Sequence, residues 1–513
     1  MPNTTDANAL DAAQKRFMLG AVCLAALAMP VSFTGPALAL PTIASVLGGS
    51  PLALEWVTNA FMLAFGSCML VAGTLADRFG RKRIFLCGTL GFALSSVIAA
   101  IAGSMVEVDI ARALQGMAAA AALSAGAAAL AQEFEGHARD RAFSLLGTTF
   151  GVGLAFGPIL AGGLIAHIGW RAVFASTALI TLAASVPGAK CMRETRDPGA
   201  TGVDWPGAAT FACALALLTY AVLRVPDRGW GSAAVLVPFA ASIAAAVAFV
   251  VVERRATRPM LDLSLFRYPR FIGVQFIAAA PAYCYVVLLV LMPVRLIGID
   301  GLDGMATGRM MFAMSAPMLV VPLIACRLAR WVSPGVIAGI GLLLCACGHI
   351  WLAQCAPARF SGNLPAAMFV IGLGVSLPWG LMDGLAVSVV PKERAGMAAG
   401  IFNTTRVAGE GIALAVVTTL LTGLIDANLR DAFLAAGDAA RIGQASNRLA
   451  MGDLAGAASV LTHAPQAELA RLYGDAFHSL LHVLASITVL SALLVFGFLR
   501  RAARSDLDDA YVA

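Results

Sequence analysis

Charged side chains are scarce in this sequence. Asp, Glu, Lys and Arg together make up 12% of the 513 residues, whereas apolar residues make up 60%. A soluble domain has about 25% charged residues, so the chain lacks the polar surface that a water-soluble protein requires. The formal net charge of +6 does not indicate a nucleic-acid partner, because the basic residues lie in short clusters between apolar blocks. We therefore expect an integral membrane protein surrounded by a lipid bilayer.

The motifs of metal-binding proteins and of several enzyme classes are also missing. The ten cysteines form no C-x-x-C pair, so neither a zinc site nor a disulfide framework is predicted. The sequence contains no phosphate-binding loop G-x-x-x-x-G-K-[ST], no Ser nucleophile elbow and no cluster of His and carboxylates at metal-site spacing. We expect no enzyme, no metal and no cofactor.

Long apolar blocks are what the sequence has in abundance. About 20 helical residues cross the hydrocarbon core of a bilayer. We therefore predict an all-α membrane protein with fourteen spans. They lie near residues 17–42, 52–75, 84–104, 108–131, 141–165, 171–189, 204–223, 233–252, 270–293, 305–326, 335–354, 364–388, 397–421 and 478–499.

Basic residues are concentrated in every second connection between these spans. Cytoplasmic connections carry such an excess of Lys and Arg, so we expect both termini in the cytoplasm. The one long connection on the opposite side, residues 425–477, has Leu and Phe at helical spacing. We predict two short amphipathic helices there, forming a hairpin on the outer face; a flexible loop is the alternative.

A degraded internal repeat indicates two related halves. Residues 73–83, after the second span, have a weaker counterpart in residues 326–334, after the tenth. If the seventh and eighth spans are an insertion, both segments follow the second helix of a six-helix half. The predicted organisation is a tail (1–16), a six-helix bundle (17–190), two additional helices (204–253), a second six-helix bundle (270–500, with the outer-face hairpin 425–477) and a tail (501–513).

Residues 73–83 read GTLADRFGRKR and resemble the loop signature G-x-L-a-D-R-x-G-R-[RK] of the major facilitator superfamily. Gly80 permits a tight turn, and the cations hold the loop on the cytoplasmic side. The resemblance implies that this loop latches the two bundles together and acts in gating. Its signature residues are Gly73, Asp77, Arg78, Gly80, Arg81 and Lys82.

The fifth span reads GVGLAFGPILAGG over residues 151–163. Glycines spaced four apart leave a helix face nearly bare, so that another helix can approach closely, and Pro158 adds a kink. The segment resembles the glycine-proline signature of antiporters within the superfamily, which implies export rather than uptake. The residues that carry this resemblance are Gly153, Gly157, Pro158 and Gly162.

The fourth span carries Arg112 in the segment IARALQG, residues 110–116. It resembles the R-x-x-Q-G motif, in which the arginine is implicated in proton transfer. An arginine inside a membrane is costly unless it faces protein or water. Asp109 lies one turn earlier on the same face, so a neutralising pair is the structural alternative.

Further segments resemble the fourteen-helix drug/proton antiporter branch, among them PKERAGMAAG at residues 391–400, which leads to Asn403 and Arg406. One position departs from that branch. Aligned on residues 39–41, Ser32 stands where the branch has an Asp in the first span, so the usual intramembrane carboxylate is absent. Asp383 and Glu410 are the intramembrane carboxylates that compensate in our hypothesis, by carrying protons, by binding a cationic substrate, or by both.

Aromatic and polar residues of several spans are candidates for a substrate cavity, with core packing or lipid contact as the alternative. These residues are Ser32, Trp56, Trp379, Met382, Phe402, Asn403 and Arg406.

The resemblance implies two six-helix bundles plus an inserted pair, in a bacterial inner membrane. It implies a proton-coupled exporter of small amphipathic molecules that works as a monomer or with a periplasmic adaptor, without a nucleic-acid partner. A dedicated exporter of one metabolite, toxin or siderophore, and a proton-coupled uptake transporter, remain alternatives.

Overall fold

A computed structural model describes residues 11–134, 136–196, 204–256, 263–355, 363–390, 395–433, 439–461 and 464–499. In this described part, helices are connected by turns and there is no strand. Fourteen of the described segments are helices long and apolar enough to cross a membrane. The predicted number of spans and the all-α class are therefore confirmed.

The first bundle consists of six uninterrupted helices. They are Ala12–Leu47, Pro51–Phe79, Arg81–Ile101, Met105–Glu133, Gly136–His167 and Arg171–Cys191. The additional helices are the seventh and eighth spans, Trp205–Leu223 and Ala233–Arg255, with the one-turn helix Val225–Arg228 between them.

The second bundle contains three interrupted spans. The ninth span consists of the α-helices Pro269–Pro281 and Val287–Val294 and the π-helices Ala282–Val286 and Arg295–Ile299, in the order α, π, α, π. The tenth span consists of the α-helix Gly304–Ser315, the 3-10 helix Ala316–Leu319 and the α-helix Val321–Leu328. The twelfth span consists of the α-helices Leu364–Trp379 and Met382–Ser388. The remaining helices are the eleventh span Pro334–Ala353, the thirteenth Ala395–Phe433, the fourteenth Gln466–Leu499, the 3-10 helix Leu263–Arg267 and the short helices Ala439–Ala450 and Leu454–Val460.

Side-chain caps mark several helix beginnings. Asp11 accepts a hydrogen bond from the backbone N–H of Gln14, whose side chain bonds back in a capping box. Ser50, Ser104 and Asp303 also accept from backbone N–H groups three residues later. Such caps satisfy N–H groups that have no partner inside the helix. They fix where each span begins.

The inserted pair packs beside the seam between the two bundles. The seventh and eighth spans contact each other, and the seventh also contacts the second and thirteenth spans. The bundles contact each other mainly through the fifth and tenth spans and through the second and thirteenth. The pair is therefore peripheral, and the space between the bundles is lined by other spans.

Two ends of the molecule need separate names. The loop face is the end that carries residues 73–83, and the hairpin face is the opposite end, which carries the helices Ala439–Ala450 and Leu454–Val460. Two short helices thus occupy the stretch for which a hairpin is predicted. The thirteenth span extends to Phe433, which shortens that connection relative to the prediction.

The bundles are packed together at the hairpin face. Leu38 and Val173 of the first bundle form an apolar cluster with Ile297 of the second π-helix. Val294, just before that helix, is buried in a first-bundle cluster on which Met451 of the hairpin also packs. Among the described residues, these apolar contacts close this end of the molecule.

Candidate transport pathway between the two bundles

The Arg112 guanidinium lies at the centre of a polar network in the first bundle. The side chain is fully buried, at 0% exposure. Its Nε donates to the carbonyl oxygen of Val57 at 2.7 Å, and a terminal nitrogen donates to the hydroxyl of Ser32 at 2.8 Å. The same nitrogen donates to the side-chain oxygen of Gln115. The guanidinium also lies 4.3 Å from the ring centre of Phe61.

This network continues through two further helices. The Gln115 amide donates to the hydroxyl of Ser96 at 2.6 Å, and Thr177 donates to the same hydroxyl at 3.2 Å. Spans one, two, three, four and six are therefore joined through a single buried arginine. Because the alternative for each group is an unsatisfied polar atom in a low dielectric, the network ties the packing of these spans to the charge at Arg112.

The structure brings Ser32 and Arg112 together, with Asp109 on the same helix. Ser32 thus occupies the position from which a first-span carboxylate would contact the arginine. Asp109 lies one turn before Arg112, close enough for Coulombic attraction, and its Oδ1 is buried without a hydrogen bond to a described residue.

A second group of predicted residues lies on the thirteenth span. Glu410 is 9% exposed, and its carboxylate makes no hydrogen bond or short ion pair with a described residue. Arg406 lies one turn earlier and attracts it electrostatically, but donates instead to the side-chain oxygen of Asn403 at 2.8 Å. The short Arg406–Glu410 ion pair that sequence spacing allows is therefore not formed, and the Glu410 carboxylate is available to another partner.

Aromatic rings surround this polar group from both bundles. The Arg406 guanidinium lies 5.9 Å from the ring centre of Trp379 and 5.8 Å from that of Phe402. Trp379 in turn stacks on Phe150 of the fifth span, with 6.2 Å between ring centres. Stacked rings beside a cation and a carboxylate are suited to an amphipathic ligand. We call Phe150, Trp379, Phe402, Arg406 and Glu410 the aromatic–acidic group.

Three other predicted residues have different surroundings. Met382 is buried in the core of the second bundle. Trp56 packs against a cluster formed by Val222 and Leu223 of the seventh span and Ala415 of the thirteenth. The sequence predicts Asp383 in the middle of the twelfth span. In the structure, Asp383 lies in the short helix Met382–Ser388 near the loop face, after the break that follows Trp379. Its side chain is outside the described part.

The glycines of the fifth span face two different helices. A Cβ on Gly153 would lie 2.5 Å from Pro30 of the first span, and one on Gly157 would lie 2.5 Å from the Thr34 hydroxyl oxygen. Gly162 instead meets the backbone of Gly304 in the tenth span, and Gly308 lies against the Pro158 carbonyl. The bare helix face thus brings the backbones of the two bundles together near the hairpin face.

The signature loop is held by the first bundle. Asp77 pairs with Arg81 at 2.9 Å, and Arg81 also donates to the side chain of Gln132 and to the Thr195 carbonyl. Gly80 has φ of +116°, a conformation that favours glycine and that lets the third helix begin directly at Arg81. Among the described residues, these latch contacts stay within the first bundle, and the loop does not latch the two bundles together in this conformation. Gly73 and Arg78 lie near the end of the second helix, Pro51–Phe79, and Lys82 lies in the first turn of the third, Arg81–Ile101.

Sequence reasoning missed Phe150 and the Ser96–Thr177 part of the network. Nothing in the sequence separates Phe150 from other phenylalanines of the spans, because its role depends on a contact with the opposite bundle. Ser96 and Thr177 are ordinary helix residues whose alignment with Gln115 arises only from the packing of three spans.

Comparison with known proteins agrees with this architecture. The profile described as "Major Facilitator Superfamily" matches residues 20–414. The puromycin resistance protein pur8 of Streptomyces alboniger is 32% identical over 77% of this chain and 79% of its own. The multidrug efflux pump LfrA of Mycolicibacterium smegmatis is 27% identical over 93% of this chain and 94% of its own.

A solved structure shows the same fold at low sequence identity. A bacterial homolog of the human lysosomal transporter Spinster, in an inward-facing and occupied conformation, superposes with a TM-score of 0.66 at 14% identity, covering 96% of this chain and 98% of that one. Two six-helix bundles, the signature loop and the matched profile lead to one conclusion: the chain belongs to the Major Facilitator Superfamily, and it is a multi-pass membrane transporter rather than an enzyme.

Proposed function

We propose that this protein is a proton-coupled antiporter that exports small amphipathic, drug-like compounds from the cytoplasm. The observation that carries the proposal is the aromatic–acidic group between the bundles. Phe150 comes from the first bundle, whereas Trp379, Arg406 and Glu410 come from the second. A ligand bound there contacts both bundles, as alternating access around a central site requires.

The chemistry of the group favours lipophilic cations. Stacked rings bind flat apolar molecules without strict shape requirements. The Glu410 carboxylate, which has no short partner among the described residues, supplies a negative charge for a positive substrate. A proton and a cation then compete for one carboxylate, which is the simplest form of antiport. Binding of the proton releases the substrate, and binding of the substrate releases the proton.

The direction of transport is supported by the fifth span and by the relatives. The glycine face of the fifth span matches the antiporter signature, and LfrA and pur8 are named for drug efflux and resistance. With the loop face in the cytoplasm, the closed hairpin face corresponds to a substrate-loading conformation.

The test uses inside-out vesicles with an acidic lumen and a pH-sensitive dye. Ethidium, tetraphenylphosphonium, puromycin and the neutral dye Nile red are added separately. We expect the cations to dissipate the gradient in wild type and to fail in Glu410→Gln, whereas Glu107→Gln, an exposed carboxylate of the fourth span, behaves as wild type. Asp383→Asn examines the other predicted carboxylate. If none of these compounds acts on wild type, the proposal is wrong.

A dedicated exporter of one compound is the second candidate. Several relatives are named for single compounds, such as the tetracenomycin C resistance and export protein of Streptomyces glaucescens, which is 28% identical over 79% of this chain and 76% of its own. A response to one member of a structurally diverse panel, with none to the others, favours this candidate.

We further propose that the protein works as a monomer in the bacterial inner membrane with both termini in the cytoplasm, either alone or with a periplasmic adaptor at the hairpin face. The basic connections on the loop face support this orientation, and one chain alone supplies both bundles. A carboxyl-terminal fusion that is fluorescent with green fluorescent protein and inactive with alkaline phosphatase supports the orientation. Native mass spectrometry reports the oligomeric state.

A further inference from the structure

The Arg112 cation is fully buried, yet all the groups that hydrogen-bond to it are neutral. The acceptors are the Val57 carbonyl, the Ser32 hydroxyl and the Gln115 amide oxygen, and the Phe61 ring lies against the guanidinium. One terminal nitrogen of the guanidinium is buried with no hydrogen-bond partner among the described residues. Dipoles of this kind hold a cation in place, but they do not neutralise its charge.

Asp109 is placed to supply the missing negative charge. It lies three residues before Arg112, on the same helix face, and its Oδ1 is buried without a hydrogen bond to a described residue. Both members of the pair therefore retain unused hydrogen-bonding capacity. Asp109 also lies one turn from Met105, where the fourth span begins at the hairpin face, so that water on that side is near.

The other charged groups near the hairpin-face end of these spans have different surroundings. Glu107 of the same helix is exposed and accepts from the backbone N–H of Gly103. Arg171 of the sixth span donates to the Ala102 carbonyl and lies over the Trp170 ring. The first and third spans carry no charged residue in their hairpin-face halves, and His167 ends the fifth span in an exposed position.

Glu55 of the second span is the remaining competitor. It is buried and lies two residues before Val57, whose carbonyl accepts from Arg112. Unlike Asp109, it is not on the helix that carries the arginine. Glu55→Gln is therefore one of the variants to be compared.

Resting on the proposed antiport function, we propose that Asp109 carries a transported proton in the first bundle and replaces the first-span acid whose position Ser32 occupies. In the deprotonated state, the Asp109 carboxylate neutralises Arg112. A proton from the hairpin face binds a carboxylate oxygen, and the guanidinium then depends on Ser32, Val57, Gln115 and Phe61 alone. The Gln115–Ser96–Thr177 chain passes this change to the third and sixth spans. When the proton leaves to the loop face, the ion pair is restored.

The first arm of the test needs no substrate. Infrared difference spectra between acidic and basic pH are recorded on purified protein in lipid nanodiscs. We expect a carboxylic-acid C=O band in wild type and Glu107→Gln that disappears in Asp109→Asn. The Asp109→Asn/Ser32→Asp variant moves the carboxylate across Arg112 and restores a titrating band. An unchanged spectrum in Asp109→Asn, or loss of the band in Glu55→Gln instead, overturns the proposal.

The second arm measures ethidium-driven proton flux in vesicles. We expect Asp109→Asn to lower the flux about ten-fold or more, because the exchangeable charge is lost, while ethidium binding to the purified protein stays within about two-fold because the binding group lies elsewhere. Asp109→Asn/Ser32→Asp regains flux, which a merely misfolded variant does not. Wild-type flux that persists in Asp109→Asn overturns this inference alone. Absence of flux in wild type contradicts the antiport function, while the infrared arm still decides whether Asp109 titrates.

Discussion

The two bundles surround an arginine of their spans in different ways. Arg112 in the first bundle is fully enclosed and fixed by groups from several spans, whereas Arg406 in the second is partly exposed, lies among aromatic rings and donates to Asn403 of its own helix. An acid lies one turn from each arginine. Asp109 has a buried Oδ1 that accepts no hydrogen bond from a described residue, and Glu410 has no short partner among the described residues. In our proposals the first site responds to a proton and the second accepts a variable ligand.

Removing the arginine of the first bundle is expected to have the largest effect. Arg112→Ala leaves Asp109 as an unpaired buried charge and the Val57 carbonyl and Gln115 amide without their donor. Each lost hydrogen bond to the buried cation contributes about 1.5–3 kcal/mol, so we expect a strongly lowered midpoint of thermal unfolding in detergent and no ethidium efflux. Arg228→Ala, at an exposed position of the one-turn helix, is the control and should match wild type.

Separating the bundles at the hairpin face is expected to come next. Gly162→Leu drives a side chain into the Gly304 backbone, and such overpacking costs about 1–3 kcal/mol. We expect the hairpin face to open and efflux to fall, because the substrate-loading conformation is lost. Gly147→Ala lies on the same helix with no atom within 4 Å of the added Cβ and should leave efflux intact. Equal losses in both variants would argue for a general helix defect.

The second bundle is expected to show its role in affinity rather than in stability. Trp379→Ala removes the ring that stacks on Phe150 and lies beside Arg406. Aromatic pairs contribute about 0.5–1.5 kcal/mol beyond buried area, so we expect ethidium binding, measured by fluorescence, to weaken about three- to ten-fold or more. Trp331→Ala, 80% exposed at the loop face, serves as the control. Unchanged ethidium affinity in Trp379→Ala would place the ligand elsewhere.

The smallest effect on efflux is expected at Ser32. Ser32→Ala deletes one of several hydrogen bonds to Arg112. A hydrogen bond to a charged group contributes about 1.5–3 kcal/mol, and Arg112 keeps its other acceptors. We expect a small fall in the unfolding midpoint and efflux close to wild type, since Asp109 still neutralises the arginine. Ser45→Ala is the matched control, because it makes the same substitution at an exposed position. The Ser45 hydroxyl donates to the carbonyl of Thr42 in its own helix. A complete loss of efflux in Ser32→Ala would show that the hydroxyl itself is required.

Much of the candidate site was predictable because it depends on local residue type. Arg112, Glu410 and Arg406 stand out as charges inside apolar blocks, and charges there must face protein or a cavity. Trp56 was predicted on the same basis as Trp379, yet it packs on the seventh span. A tryptophan is compatible with lipid, core and cavity alike, so its type alone does not decide among them.

The sequence by itself determined the membrane class, the fourteen spans, the family and the presence of Arg112, Arg406 and Glu410 inside spans. These follow from hydrophobic length and short motifs, which act through chemistry local to the chain. The tertiary structure alone decided that Arg112 donates a hydrogen bond to Ser32 and that Arg406 donates one to Asn403. It also decided that Phe150 stacks on Trp379 of the other bundle and that the hairpin face is closed. Each is a contact between side chains whose relative placement depends on how whole helices pack, and helix packing depends on the sum of many weak interactions rather than on any one motif.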